Sequence, residues 1–426
     1  MSHATVTIII ILCTCVLYLT EKLPVALVTV MGMLAMVFTG VLSYSDAFNC
    51  FASTNVMLVL GMIIIVNALL ESGVGRIVGN LLSKLIGQQE KLFVVIVFLS
   101  ASVLSLFSTN AALVAMYMPF IASIAVTSGG AITKKNTYLP LAIGGLIGGT
   151  GSLAGSTAPL LANDVLAMTG ARTMGFFTPL PIAAAMVIII ALCYWFFLYD
   201  LQKKWFDFPE ELAPIENDIE EIPLDKRKAA ICITVFVICI LLFVFQPFGW
   251  GLGLISITGA VVLVLAGCVD GKHALKHMQW SALVTLGAAL AIAKGFVESG
   301  VGEIIMEKLT VGLGTWVESP VLLVTLFLLT GFILSQFMAN GALVSMMCAI
   351  AVPMAVEIGT DPMPVALACV FGCSLAMATP VATTTITMVQ VAGYRFKDYL
   401  RAGGLTSLIA LVTAWVAIVL QYRLIF

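Results

Sequence analysis

The stretch Glu71-Ser72-Gly73-Val74-Gly75 recurs letter for letter as Glu298-Ser299-Gly300-Val301-Gly302, 227 positions further along a chain of 426 residues. Two more landmarks follow it in the same order. Ser108-Thr109-Asn110-Ala111-Ala112-Leu113-Val114 answers to Met338-Ala339-Asn340-Gly341-Ala342-Leu343-Val344 at a spacing of 230. Gly151-Ser152-Leu153-Ala154-Gly155-Ser156 answers to Ala378-Thr379-Pro380-Val381-Ala382-Thr383, again at 227. Chance does not readily put three landmarks at nearly one offset, so the chain reads as an internal duplication.

What is duplicated is a set of apolar segments. The chain is 61% hydrophobic and 10% charged, against about 25% charged in soluble proteins. Its mean hydropathy is +1.13. A soluble fold of this composition would leave large apolar areas in water, which soluble monomers rarely tolerate. Apolar runs near 5–20, 24–42, 55–71, 92–108, 110–127, 138–162, 179–199, 229–246, 251–268, 280–297, 319–338, 340–357, 364–392 and 403–424 suit a bilayer, where a spanning helix satisfies its own backbone. None alternates with a strand's period, so the fold is expected to be all-α and polytopic. The run Val6 to Tyr18 lacks a small-residue cleavage site after it and reads as a retained first helix.

One stretch cannot enter hydrocarbon. Asp200 to Lys228 holds fourteen charged residues in twenty-nine, with Pro209, Pro214 and Pro223 among them. Lys203, Lys204, Lys226, Arg227 and Lys228 flank it, which places it in the cytoplasm by the positive-inside rule. The expected organisation is a first repeat over 1–200 with an extra N-terminal helix, a cytoplasmic linker over 201–228, and a second repeat over 229–426.

Several function classes drop out. The 20 basic and 22 acidic residues give a net charge of -2 with no basic surface to track phosphates, which excludes nucleic acid. The ten cysteines sit mostly inside apolar runs and read as small hydrophobes, and three scattered histidines cannot complete a zinc site. An intramembrane transferase would need clustered carboxylates for magnesium, and the only acidic cluster is the linker. Gly267 to Lys272 has the wrong spacing for a phosphate-binding loop. The chain is therefore not read as an enzyme, and no organic cofactor is expected.

Duplicated membrane proteins with interrupted helices are often secondary transporters, because a break frees carbonyls for cations and turns helix N-termini toward anions. Four interruptions stand out. Ser105, Ser108, Thr109 and Asn110 form a polar knot between apolar runs, as do Ser335, Gln336, Asn340 and Gly341 in the second half. The others are Gly148 to Pro159 and Thr379 to Thr385, which mix Gly or Pro with hydroxyls. A hydroxyl in such a place also serves helix packing alone, but two asparagines at equivalent repeat positions point to binding. Glu71 and Glu298 fall at helix ends and read as interfacial; Lys294, one turn before Glu298, can pair with it or snorkel. Asp164 follows the first broken helix and is expected to face water. With no acidic group or histidine inside the knots, sodium is favoured over protons as the coupling ion.

Glu21-Lys22-Leu23-Pro24, Thr39-Gly40-Val41-Leu42-Ser43, the Asn110 and Asn340 knots and Pro380-Val381-Ala382-Thr383 together resemble the divalent anion/sodium symporters, the dicarboxylate, citrate and sulfate carriers of the ion transporter superfamily. The resemblance covers nearly the whole chain. It implies two inverted-topology repeats, each with a re-entrant hairpin and a broken transmembrane helix, in a homodimer of the cell membrane, surrounded by lipid, that moves a small anionic substrate by an elevator motion. It implies one sodium site at Ser105, Thr109, Asn110 and Gly155. A second would be formed by Ser335, Met338, Asn340 and Ala382, with Met338 giving its main-chain carbonyl. Substrate would meet Thr109, Asn110, Ala111, Ser156, Asn340, Gly341 and Thr383. The family's Ser-Asn-Thr tips are only partly kept: Ala111, Ala339 and Gly341 remove three hydroxyls, so the substrate is expected to be a dicarboxylate, a smaller oxyanion or an organic acid with an apolar end. A sodium/proton antiporter or an arsenite-type carrier of the same superfamily is the alternative.

Overall fold

A computed structural model of the chain describes residues 3–20, 22–73, 89–128, 130–208, 225–245, 249–276, 278, 280–301, 319–336, 340–379 and 383–424. Among these residues every regular element is a helix. The first half runs α1 (His3–Thr20), α2 (Val25–Phe38), α3 (Tyr44–Asn49), α4 (Thr54–Glu71), α5 (Glu90–Ser105), α6 (Asn110–Thr127), α7 (Lys134–Gly149) and α8 (Thr157–Met168). It ends in α9 (Leu180–Cys193), which a π turn at Tyr194–Leu198 carries into α10 (Tyr199–Trp205). The second half gives α11 (Lys226–Phe245), α12 (Leu252–Leu265), α13 (Gly271–Lys276), α14 (Trp280–Glu298), α15 (Pro320–Ser335), α16 (Asn340–Glu357), α17 (Met363–Ser374) and α18 (Thr384–Met388). A π turn at Tyr399–Gly403 then leads into α19 (Gly404–Gln421).

The duplication written in three short motifs extends to whole elements. Both ends of α12 lie 227 positions after those of α2, and the same holds for α13 and α3. Both ends of α15 and α16 lie 230 positions after those of α5 and α6. The first helix, expected as an addition to the first repeat, has a counterpart of similar length in α11. The helix after α9 also reaches Trp205, five residues into the stretch read as linker, because Gln202 is buried and donates to Asn136 O at 2.9 Å.

Contacts across the repeats fix their relation. Gly253 and Gly61 let α12 lie directly on α4: a Cβ on Gly253 would stand 2.6 Å from Thr54 O, and one on Gly61 would stand 2.4 Å from the Ser256 carbonyl carbon. Ser256 Oγ donates to Met57 O at 3.1 Å, so numbers rise together along the pair and the two helices run parallel. The mirror pair, α14 on α2, is parallel as well, with Gly32 against Ile292 and Gly295 against Met36. Residues 39–53 between α2 and α4 hold nothing longer than the six-residue α3, far short of the roughly 20 residues of a crossing. Hence α4 returns antiparallel to α2, and α12 runs opposite to the helix it duplicates. The repeats are inverted about a two-fold relation, and a matching pair of polar contacts records it: Lys294 Nζ of α14 meets Asp46 Oδ1 of α3 at 2.6 Å, and His273 Nε2 of α13 meets Glu71 Oε1 of α4 at 3.1 Å. Lys294 also lies 3.8 Å from Glu298, so the pairing expected within α14 is present but is the longer of its two.

The hairpin of the first repeat is re-entrant: its two ends meet, and its tip stops at the break between α7 and α8, where Ser152 Oγ donates to Leu106 O. Glu90, which opens α5 and is buried, accepts from Thr133 N at 2.9 Å just beyond α6, from Thr133 Oγ1, from Asn136 Nδ2 at 3.1 Å and from Tyr199 OH at 2.6 Å. Outside the core, Phe38, Phe196, Phe245 and Leu265 expose most of their surface, as a lipid-facing protein requires. Among the described residues four helical runs are long and apolar enough to cross a membrane: Tyr44–Leu69, Leu180–Trp205, Lys226–Phe245 and Phe396–Gln421.

Candidate functional site

The apolar runs 138–162 and 364–392 are each snapped at one place. Between α7 and α8 the chain unwinds over 150–156; after α17 it unwinds over 375–379 and helix resumes beyond Thr383, with 380–382 outside the described residues. Ser156 and Thr383 begin the second halves as N-caps, their hydroxyls accepting from Ala158 N at 3.3 Å and Ile386 N at 3.4 Å. A capping hydroxyl satisfies one orphan donor and fixes where the helix resumes. Both residues, expected to face substrate, are thus seen chiefly as caps.

Each hairpin tip is stitched to the break of its own repeat by the same two bonds. Ser105 Oγ donates to Gly145 O at 2.6 Å, and Ser335 Oγ lies 3.5 Å from Gly372 O. Ser152 Oγ donates to Leu106 O, and Thr379 Oγ1 donates to Gln336 O at 2.7 Å. The sequence reading placed Ser152, Gln336 and Thr379 within the knots without giving them a role. Gln336 does the most of the three: its amide donates to Leu375 O at 3.1 Å and accepts from Ala378 N at 3.2 Å, bridging tip and break.

In the first repeat main-chain oxygens converge around Asn110. A Cβ on Gly155 would stand 2.3 Å from Ser105 O and 2.6 Å from Gly149 O, while one on Gly149 would stand 2.3 Å from Asn110 Oδ1 and 3.0 Å from Gly155 O. Only glycine lets these carbonyls approach so closely. With its amide nitrogen turned inward, Asn110 donates to Ser105 Oγ at 2.7 Å, Gly145 O at 3.1 Å and Gly155 O at 3.3 Å. With its oxygen inward it would set one more acceptor among acceptors, an arrangement that a cation would reconcile. Three of the four residues expected here, Ser105, Asn110 and Gly155, are brought together. Thr109 instead sits at the N-cap position of α6, makes no side-chain cap bond there, and lines a neighbouring cleft.

The second repeat is the less complete. Ser335 is buried, and Asn340 holds Oδ1 out of solvent with no hydrogen-bond partner. Met338 and Ala382, expected to complete that sodium site, lie outside the described residues, as does Ala339. Gly341 lies against the other repeat, where a Cβ on it would be 3.3 Å from Thr157 Oγ1 at the start of α8. The hairpin helix of each repeat packs on the broken helix of the other, α16 on α8 and α6 on α18, so all four interruptions share one region.

A narrow cleft of about 20 Å³, room for a water molecule, separates this region from α4. Val59, Met62, Ile63, Val66 and Asn67 line it from α4. Phe107, Thr109 and Ala112 of the tip, with Ala154 of the break, face them. Asp164 departs from expectation: it is half-buried on α8 with Oδ2 shielded from solvent and unpartnered, and Asn55 of α4 stands beside it while donating to Leu160 O at 3.4 Å. Nothing in the local sequence marked its burial; α8 is packed by α14, α16 and α17 of the second repeat.

A doubled bundle whose snapped helices pool their carbonyls at a shared centre is the architecture of a secondary membrane transporter. The sequence pattern of the citrate transporter family matches residues 15–372, and the chain belongs to that family. It is similar to an uncharacterized transporter of Haemophilus influenzae, 24% identical over 418 residues, which cover 93% of this chain and 87% of that protein. The sodium-dependent dicarboxylate transporter SdcS of Staphylococcus aureus is 22% identical over 400 residues, covering 86% of this chain and 76% of its own length. In fold it resembles the YdaH transporter of Alcanivorax borkumensis, whose crystal structure is described as revealing an unusual topology, with a TM-score of 0.60 at 14% identity over 92% of this chain and 89% of that one. The protein is accordingly a multi-pass carrier of the cell membrane and not an enzyme.

Proposed function

We propose that the chain is a sodium-coupled symporter of a small anion, working as a homodimer with the linker in the cytoplasm, in which hairpins and broken helices move together against the frame of α1–α4 and α11–α14. The observation that carries sodium is the cluster of Ser105, Gly145, Gly149 and Gly155 carbonyls around Asn110. Hard cations take oxygen ligands, and unwound carbonyls are their usual source in a bilayer. The unpartnered Asn340 Oδ1 is suited to the mirror-related site. Anion contact falls to the N-terminal amides of α6 and α8 and to Thr109, Asn110, Ala111, Ser156, Asn340, Gly341 and Thr383; the amides survive whatever hydroxyls the tips have lost. The resemblance to a sodium-dependent dicarboxylate transporter supports the same coupling.

In proteoliposomes carrying the full chain, an inward sodium gradient is expected to drive uptake of a labelled organic anion, and replacing sodium by choline to abolish it. Equal uptake in both media would refute sodium coupling. Asp164 favours one other reading, exchange of a cation for protons, because a shielded carboxylate in the membrane can carry a proton. A sodium-driven change of internal pH with no anion present would select that reading.

A further inference from the structure

Two of the cysteines that read as small hydrophobes face each other across the pair α11 and α12, which pack side by side. Cys239 of α11 lies against α12: a Cβ on Gly259 would stand 2.6 Å from its Sγ, and its thiol is 4.0 Å from Ile255 O. About two turns back along α11 the same face carries Cys232, and about two turns beyond Gly259 the chain reaches Cys268, just past the end of α12. The antiparallel register thus sets these two opposite each other, and their thiols are in hydrogen-bonding contact. Both are free; Cys232 is wholly buried and Cys268 is 7% exposed. The turn that closes α12 fixes Cys268, with Gly267 at φ +70° and Cys268 N donating to Leu263 O at 3.0 Å. The pair lies toward the end of the frame that meets the linker, where Lys228 precedes Cys232 by one turn and Asp225 N donates to Ser72 O at 3.3 Å. Cys268 is therefore the thiol that an aqueous reactant meets first. The other thiol contact, Cys348 with Cys369, is wholly buried between α16 and α17.

We propose that Cys232 and Cys268 are a modification site, a dithiol that a low-molecular-weight disulfide converts into an intramolecular disulfide joining α11 to the end of α12. The Cys268 thiolate attacks the S–S bond of the reactant, forming a mixed disulfide and releasing one thiolate. The Cys232 thiolate then displaces the second. Two protein thiols are oxidised, one small disulfide is reduced to two thiols, and the protons lost by the cysteines end on those thiols. Because α13 follows Cys268 and its His273 meets Glu71 of α4, the bond ties the linker-side ends of α4, α11 and α12 together. With the linker in the cytoplasm, as proposed above, the dithiol is the ordinary form and the bond forms under oxidative load.

The test incubates the full chain in detergent with glutathione disulfide, blocks the remaining thiols with N-ethylmaleimide, and maps by mass spectrometry the thiols that dithiothreitol then recovers. Recovery at Cys232 and Cys268 together is expected in at least about half of the chains, with an unfolding temperature raised by at least about 2 °C and restored on reduction. Cys232→Ser is expected to hold glutathione on Cys268, and Cys268→Ser to leave Cys232 unmodified. Recovery at neither cysteine of the wild type, glutathione on Cys268 without the intramolecular bond, or an oxidised pair with an unchanged unfolding temperature would overturn the inference. Glutathione on Cys232 in the Cys268→Ser variant would overturn the order of attack. The wild-type result decides by itself if a variant fails to fold, and sodium symport stands or falls separately, on uptake.

Discussion

Gly149 and Gly155 matter for what they allow their neighbours to do. Each admits a carbonyl or amide oxygen to within 2.3 Å of where its Cβ would be, so an added methyl would either spread the oxygens or shift the tip. Gly155→Ala and Gly149→Ala are expected to lower stability by about 1–3 kcal/mol and to abolish sodium activation of uptake, read by thermal unfolding in detergent and by flux. Unaltered sodium activation in either would remove the oxygen cluster from the coupling mechanism. Asp164 makes the opposite kind of prediction. Its Oδ2 is shielded without a partner, so Asp164→Asn, which removes the charge and keeps the shape, is expected to raise the unfolding temperature at neutral pH, whereas a fall would mean that the carboxylate is compensated by a partner in the membrane. The amides of Asn110 and Asn340 were legible in the sequence because they recur at one offset, while the bridging by Gln336 was not. That bridge depends on where Leu375 and Ala378 sit, and such positions follow only from packing.

At the level of elements, Glu90 holds the base of the first hairpin to the start of α7 and to Tyr199. Its counterpart by position in the second repeat is Pro320, which has no carboxylate to form the same clamp. Glu90→Ala would strand the donors of Thr133, Asn136 and Tyr199 away from water. The loss is expected to be about 3 kcal/mol, seen as earlier thermal unfolding, with Glu90→Gln losing less because an amide oxygen still accepts. Equal stability in the two variants would show that charge, and not acceptance, is what counts there. Apolar runs in the sequence foretold nearly all of these helices, since a bilayer leaves a spanning segment few alternatives. The continuation of α10 to Trp205 was hidden because Lys203 and Lys204 make the segment look solvated, although Gln202 between its charged neighbours and α9 turns inward to Asn136.

For the molecule as a whole, inversion follows from two helix pairs, α12 on α4 and α14 on α2, each placing a helix of one repeat along a helix of the other. Three motifs revealed that the chain is doubled, but the direction of each copy required the contacts at Gly61, Gly253, Gly32 and Gly295. If the hairpins and broken helices slide against the frame, the contact of Asn55 on α4 with Leu160 on α8 must break in each cycle. A disulfide between Asn55→Cys and Leu160→Cys, in a background with the native cysteines replaced, is expected to stop uptake until it is reduced; uptake at the uncrosslinked rate would rule out sliding at that contact. The most direct measurement of coupling itself is sodium-dependent uptake by Asn110→Ala and Asn340→Ala, each confirmed as folded. Loss of sodium activation in both is expected. Wild-type activation in both would contradict the claim that the paired amides at the broken helices hold the coupling ions.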